Sequence, residues 1–228
     1  MAFAVDQTDT TTGSGTSITL NLVGVAAGSL IVVCVASYKD TTPNVTGITD
    51  GTAYTAAFSS LAFYAAGGYE EQLDVYYLDG DSNSGGDRDI VITNSQSTDQ
   101  MDGIAVSFTG VESTAPINGT PVTDIGSSAA ASSGEKSDSV SGDLIIGCFA
   151  ADGSAGTSYG AGGGWLSPAG AHNGQNLTWK TASDATDTAT CSVASGDWGA
   201  AILAFSAAAG GSIIPQITHH RRQQRRRR

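Results

Sequence analysis

Short runs of alternating apolar and polar residues recur along this chain of 228 residues and predict β-strands. Ile18, Leu20 and Leu22 alternate with polar residues, which is typical of a strand with one exposed face. The run 30–35 is instead apolar at every position, which indicates a strand buried on both faces. Glycine-rich pairs separate the runs, so the pattern predicts many short strands joined by tight turns.

The order of these runs recurs in the second half of the chain and predicts an internal duplication. Residues 28–36 read GSLIVVCVA and residues 142–150 read GDLIIGCFA. Chance similarity between Gly/Ala/Ser-rich segments is the alternative. The matched segments are 28–36 with 142–150, 51–55 with 162–167, 73–79 with 177–183, 90–94 with 189–193, and 101–110 with 198–207. The matched single residues are Cys34 with Cys148, Tyr54 with Trp165, Met101 with Trp198, and Phe108 with Phe205.

The repeat and the turn signals together predict an all-β protein, an internally duplicated, jelly-roll-like β-sandwich over residues 1–208. We place the halves at about 15–112 and 138–208. Prolines and a Ser/Ala stretch in 113–137 predict an exposed crossover there. Each half has too few strands for a core of its own, so one sandwich is favoured over two domains.

Charge divides the chain into an acidic body and a basic C-terminal arm at 209–228. The net charge is −12, and six of the ten basic residues lie in 221–228. The remaining body carries 4 basic against 22 acidic residues, or −18. Such a body repels nucleic acid and anionic membranes, so only the flexible arm can attract a polyanion.

The cysteines and the N-terminus bear on the cellular compartment. Cys34, Cys148 and Cys191 lie in apolar runs without CxxC spacing, which favours buried free thiols, with a Cys34–Cys148 disulfide as the alternative. The start of the chain, MAFAVD, has no basic or apolar signal region, and no run approaches the ~18 apolar residues of a membrane span. We therefore expect synthesis in a cytoplasm without a secretory signal.

Motifs of catalysis are absent from the sequence. It contains three histidines and no GxSxG, HExxH or phosphate-loop pattern. The prediction is therefore a protein without enzymatic activity. A glycosidase-type carboxylate pair is the remaining catalytic alternative, although nothing in the sequence selects such a pair.

The loop from Asp79 to Asp89 is the candidate metal site. Asp79, Asp81 and Asn83 alternate like the opening of a calcium loop, and Asp87 adds a fourth oxygen ligand. The loop departs from that pattern at Ser84, where glycine is expected, and a solvated hairpin loop is the alternative. Calcium is thus the one candidate cofactor, and otherwise we expect none.

Aromatic side chains offer a candidate sugar-stacking face. Most of them lie in strand-like runs, so packing in the core is favoured over glycan binding. They are Tyr76, Tyr77, Trp165, Trp179 and Trp198.

The arm is the candidate partner-binding segment. Apolar anchors precede the arginines, and docking on the acidic body of a like subunit or on an acidic capsid or tail protein is favoured over binding to nucleic acid. The residues concerned are Ile213, Ile214, Ile217, Arg221, Arg222, Arg225, Arg226, Arg227 and Arg228.

Over about residues 15–208 the chain resembles phage and bacterial surface β-sandwich proteins with a repeated half-pattern. It departs from their pattern at Tyr54, where Gly-Trp is usual. The resemblance implies a virion accessory protein such as a capsid decoration, head fibre or tail-associated protein, and implies no catalytic residue. It rests on 28–37, 75–77, 101–111, 116–120, 142–150, 164–165 and 198–206.

Two functions follow as expectations. The first is a non-catalytic, homo-oligomeric structural protein of a bacteriophage virion that assembles through sandwich edges and the arm. The alternative is a lectin-like surface module that binds glycans through the loops at 38–56 and 151–176.

Overall fold

A computed structural model describes residues 2–39, 45–64, 70–151, 165–167, 174–183 and 185–209. Within these ranges the chain forms antiparallel strands and one 3-10 turn, Gly80–Ser82. None of the helical structure in this part of the chain is long and apolar enough to span a membrane. The strands are β1 (Ala4–Val25), β2 (Leu30–Lys39), β3 (Val45–Thr49), β4 (Thr55–Ala56), β5 (Leu61–Tyr64), β6 (Glu70–Leu78), β7 (Gly86–Thr109), β8 (Ile117–Lys136), β9 (Leu144–Ala151), β10 (Gln175–Thr181) and β11 (Asp187–Phe205).

The strands form two sheets, which confirms the prediction of an all-β sandwich. The first sheet has the order β1-β7-β2-β6-β4, with β3 added to β7 and β5 added to β6. The second sheet has the order β10-β9-β11-β8. The first half of the chain thus supplies one sheet, and the second half supplies the other.

The two sheets share the order of their four main strands. β8, β11, β9 and β10 occupy the positions of β1, β7, β2 and β6. The registers of β2 with β7 and of β9 with β11 also agree, so the matched segments 28–36 with 142–150 and 101–110 with 198–207 occupy equivalent places. The equivalent cross-strand pairs are Leu30–Phe108 with Leu144–Phe205, Cys34–Ile104 with Cys148–Ala201, and Ser37–Met101 with Ala151–Trp198.

One sequence match is displaced by two residues. Cys34 faces Val75 on β6, and Cys148 faces Leu177 on β10, so Val75 and not Leu73 is the equivalent of Leu177. Side chains in a strand alternate with a period of two, so a slip of two residues keeps the apolar pattern unchanged. The sequence pattern alone therefore did not fix this register.

The expected crossover at 113–137 requires correction, because most of it is strand β8. Ile117–Lys136 pairs with β11 along almost its whole length. Ser, Ala, Gly and Thr give this strand no apolar alternation, and only Ala131, Ser133 and Lys136 in it are buried. The second half therefore begins at Ile117, and the first begins with β1 at Ala4 rather than near residue 15.

A single apolar cluster lies between the sheets and draws residues from both. Val32 and Phe108 from the first sheet pack in it together with Ile146 and Phe205 from the second, all fully buried. Burial of apolar surface between the sheets is thus what holds the two halves together.

The outer face of each central strand is also covered. The long strand β7, paired with β1, pairs with β2 through residues 100–108 and with β3 through residues 91–94, so the β1–β7 pair bends over the outer face of β2. Ile31 and Ile92 meet in the cluster beneath this bend. The prediction that run 30–35 is buried on both faces is confirmed.

Candidate functional site

The C-terminal arm lies almost wholly outside the described residues, which end at Ala209. The predicted docking residues therefore stay a prediction from the sequence. They are Ile213, Ile214, Ile217, Arg221, Arg222, Arg225, Arg226, Arg227 and Arg228.

Two aspartates of the candidate calcium loop are hydrogen-bonded to neighbouring backbone and side chains. Asp79 caps the 3-10 turn, its Oδ1 accepting from the Ser82 N–H at 2.9 Å. Asp81 accepts from the hydroxyl of Thr114. That hydrogen bond, with a second one from Ser113, lowers the pKa of Asp81.

The other two proposed ligands also have partners. Asn83 is buried, and its Nδ2 donates to the carbonyl of Ser29 at 2.8 Å. Its Oδ1 accepts from the N–H of Gly85 at 2.9 Å. Asp87 Oδ1 accepts from the N–H of Gly24 at 2.9 Å.

Each of the four proposed ligands thus has its own hydrogen-bond partners. These hydrogen bonds hold the loop against neighbouring residues. Across the described ranges, no three His, Cys, Asp or Glu side chains are grouped as around a metal ion. Calcium binding at Asp79, Asp81, Asn83 and Asp87 stays a prediction.

Arg88 connects this loop to the turn at Asp50, a role that no sequence motif indicates. The guanidinium is buried and donates to Asp50 Oδ2 at 3.0 Å, to Asn83 Oδ1 at 2.8 Å and to Ser84 Oγ at 3.1 Å. Tyr54, whose pKa is raised mainly by burial, also donates to Asp50. The sequence offered one signal for this role. Arg88 lies beside the predicted strand that begins with the apolar residues Ile90–Ile92, in a body with only four basic residues.

The aromatic rings considered for sugar stacking pack inside the protein. Trp165 and Trp198 are buried in the cluster on the outer face of the second sheet. Tyr76 is partly buried and donates its hydroxyl to the carbonyl of Val45 at 3.3 Å. Tyr77 and Trp179 pack against the cluster between the sheets. These positions agree with packing in the core, which the sequence favoured over glycan binding.

In the part of the chain that the structure describes, the two longest edge strands, β1 and β8, each have an unpaired side. The outer edge of β6 is covered by β4 and β5, and Leu166 bridges to Trp179 at the edge of β10. By contrast, within the described ranges β1 pairs with β7 alone, and β8 pairs with β11 alone. An unpaired edge exposes rows of N–H and C=O groups and can pair with another chain.

Side chains occupy some backbone N–H groups on both edges. On β8 the N–H of Ile125 donates to Asp124 Oδ1 at 2.9 Å, and the N–H of Ala130 donates to Ser128 Oγ at 3.3 Å. On β1, Asp9 Oδ2 accepts from the N–H of Asn21 at 2.6 Å, and Asp6 Oδ2 accepts from the N–H of Ala26 at 2.7 Å. Carboxylates at an edge are one of the devices that discourage pairing.

β8 has the features of a pairing edge. Its segment 125–134, IGSSAAASSG, contains no charged residue. Ile125 is half exposed, at 50%, and Ser127 and Ala129 are exposed. Small, uncharged side chains allow a second backbone to approach closely and bring no like-charge repulsion.

The underside and ends of β8 are held in place by specific contacts. Trp198 donates its indole N–H to Ser128 Oγ at 3.2 Å, and a Cβ at Gly126 would collide with the indole ring. At the strand ends, the buried Lys136 donates to the carbonyl of Thr120 at 3.1 Å and to Asp138, a hydrogen bond that lowers the pKa of Asp138. These contacts hold the backbone of β8 in place beneath its exposed edge.

The described basic side chains are already in ion pairs. Arg88 pairs with Asp50, Lys136 with Asp138, and Lys180 with Asp187. The body has 22 acidic residues and only four basic ones, so it stays strongly negative after these ion pairs form. An arm with six arginines is electrostatically complementary to such a body.

Comparisons with protein families, with curated proteins and with solved structures find no match to this chain. The function must therefore be argued from the geometry of the β8 edge, the charge distribution and the sequence itself.

Proposed function

We propose that this chain is a non-catalytic structural protein that assembles with copies of itself through the open edge of β8. The observation that carries the proposal is the segment 125–134, an exposed edge without charge and without a covering strand in the described residues. Its setting in this proposal is a bacteriophage virion, as a capsid decoration, head fibre or tail-associated protein. The resemblance over residues 15–208 supports that setting.

The assembly joins β8 of one copy to β8 of another. Two identical edges that pair antiparallel form a closed twofold contact, since each residue meets its counterpart in reverse order. The backbone groups of both edges are then hydrogen-bonded, and Ile125 loses exposed apolar surface. This makes the dimer the first step of assembly.

The basic arm strengthens assembly in the same proposal. Six arginines of one copy lie against the acidic body of a neighbour, or against an acidic capsid or tail protein. Because the β8 contact holds the two copies together, the arm binds at high effective concentration. Salt weakens this contribution by screening.

Matched substitutions at two exposed apolar residues test the β8 edge. Ile125 lies in the middle of β8, whereas Val140 lies in the turn before β9, and the two are 50% and 58% exposed. Ile125→Lys places like charges at the proposed contact and is expected to weaken self-association at least about tenfold. Val140→Lys adds the same charge elsewhere and is expected to leave association unchanged.

The measurement is sedimentation velocity over a concentration series, with circular dichroism to verify that both variants are folded. Equal association constants for the two variants would refute pairing through β8. Loss of association in both would show that net charge, rather than this edge, governs assembly.

A further inference from the structure

Cys34 and Cys148 occupy equivalent positions in the two sheets and face each other between them. Both are fully buried in the shared apolar cluster. The two side chains interact, and this interaction adds to burial in raising the pKa of Cys148.

A second contact independently places Cys34 against the opposite sheet. Gln175 on β10 donates its side-chain N–H to Cys34 Sγ at 3.1 Å. Gln175 pairs with Ala150 on β9, two residues beyond Cys148. The sulfur of Cys34 therefore contacts β10, the strand that pairs with the Cys148 strand β9.

The third cysteine cannot reach this pair. Cys191 lies in the cluster on the outer face of the second sheet, away from the interface between the sheets. Cys148 and Ala150 belong to the cluster between the sheets. The four-stranded sheet itself separates Cys191 from the two facing thiols.

We propose that Cys34 and Cys148 form an oxidation site, at which a small-molecule disulfide converts the two free thiols into one disulfide that links the sheets. This inference goes beyond the proposed function and does not rest on it. All three cysteines are free in the structure, so the structure represents the reduced state.

The reaction is two consecutive thiol–disulfide exchanges. One cysteine loses its proton, and its thiolate attacks the small disulfide, forming a mixed disulfide and releasing one small thiolate. The other cysteine loses its proton and attacks the protein sulfur of that mixed disulfide, which releases the second small thiolate. The two protein protons end on the two released thiols, and the oxidant is reduced by two electrons.

Burial controls the rate of this reaction. The reactive species is the thiolate, and burial, together with the interaction between the Cys148 and Cys34 side chains, raises the pKa of Cys148 well above its ordinary value. Neither sulfur is accessible in the folded protein. The disulfide therefore forms during folding or after partial opening of the sandwich, and the folded, reduced protein reacts slowly.

The test compares oxidation of the full chain during refolding and in the folded state. The reduced protein is refolded from denaturant with oxidised and reduced glutathione, and a folded sample is incubated in the same mixture. Intact mass, peptide mapping without reduction, and thermal unfolding are then measured. The matched variants are Cys191→Ala, which keeps the facing pair, and Cys34→Ala and Cys148→Ala, which each remove one member.

We expect refolded wild type and Cys191→Ala to lose the mass of two hydrogens, to give one cross-linked peptide containing Cys34 and Cys148, and to unfold at a higher temperature than their reduced forms. In the folded sample the same product forms at least tenfold more slowly. Cys34→Ala and Cys148→Ala show no such mass loss.

Two results would overturn the proposal. One is glutathione retained on either facing cysteine of refolded wild type without an internal cross-link. The other is a cross-link that involves Cys191. Each can be read from refolded wild type alone, so the test does not require the alanine variants to fold.

Discussion

Tyr77 of the first sheet meets Phe205 of the second edge to face, with ring centroids 5.7 Å apart and planes at 72°. Phe108 of the first sheet meets Trp179 of the second in the same edge-to-face geometry, with centroids 5.7 Å apart and planes at 71°. By register, Trp179 is the equivalent of Tyr77, and Phe205 is the equivalent of Phe108. Such reciprocal contacts arise when two like sheets pack about an approximate twofold axis.

The ring contact between Tyr77 and Phe205 is expected to contribute beyond the apolar area that it buries. In a double-mutant cycle with Tyr77→Leu and Phe205→Leu, we expect a coupling free energy of about 0.5–1.5 kcal/mol. The measurement is urea unfolding of the two single variants and the double variant. A cycle between Tyr77→Leu and Phe149→Leu, in the outer cluster of the second sheet, is the control and should give coupling near zero.

Asp74 gives the fold a pH-dependent weakness. It is buried on β6, 2% exposed, and its Oδ1 accepts from the Ser60 hydroxyl. Burial raises the pKa of Asp74 to about 6. Between about pH 4 and pH 6 the folded state keeps a proton that the unfolded state loses, so stability falls as the pH rises through that range.

Asp74→Asn should remove this weakness. At pH 8 we expect the variant to be more stable than wild type by up to about 3 kcal/mol, from a pKa shift of about two units. At pH 3 the difference should vanish, since Asp74 is then protonated in both states. Asn176 already occupies the equivalent position on β10 and accepts from Ser167 Oγ at 2.8 Å.

Chemical unfolding at several pH values tests this expectation. Asp124→Asn is the control, since Asp124 is exposed on β8. An Asp74→Asn variant whose advantage over wild type is the same at pH 3 and pH 8 would contradict the assigned role of burial.

Arg88 should be the most sensitive position of the loop at 79–89. Arg88→Met leaves Asp50 buried without its ion pair and removes the hydrogen bonds to Asn83 and Ser84. We expect a loss of about 3–5 kcal/mol in unfolding free energy. The measurement is chemical denaturation, with the exposed Asp89→Asn as a control that should change stability by less than about 0.5 kcal/mol. A loss below about 1 kcal/mol for Arg88→Met would contradict this role.

The sequence was informative where apolar alternation was strong. The run 30–35 is apolar at every position, and β2 is covered on both faces. The match between Tyr54 and Trp165 also holds in space. Each precedes a residue that pairs with Tyr77 or Trp179 respectively, and each is buried on an outer face.

The sequence was uninformative where small residues form strands. β8 is held by backbone pairing to β11 and by contacts such as Trp198 with Ser128, neither of which leaves an apolar period in the sequence. The polar network around Arg88 was missed for a related reason. Its partners Asp50 and Asn83 come together only when the loop folds onto the adjacent turn.

Light scattering behind gel filtration tests self-assembly, the central claim, most directly. Full-length protein and a version ending at Gly211 are run at low and high salt. We expect the full-length protein at low salt to form an oligomer of defined mass, which dissociates in part when salt is added or the arm is removed. A full-length protein that is monomeric at low salt over the whole accessible concentration range would contradict assembly through β8 and the arm.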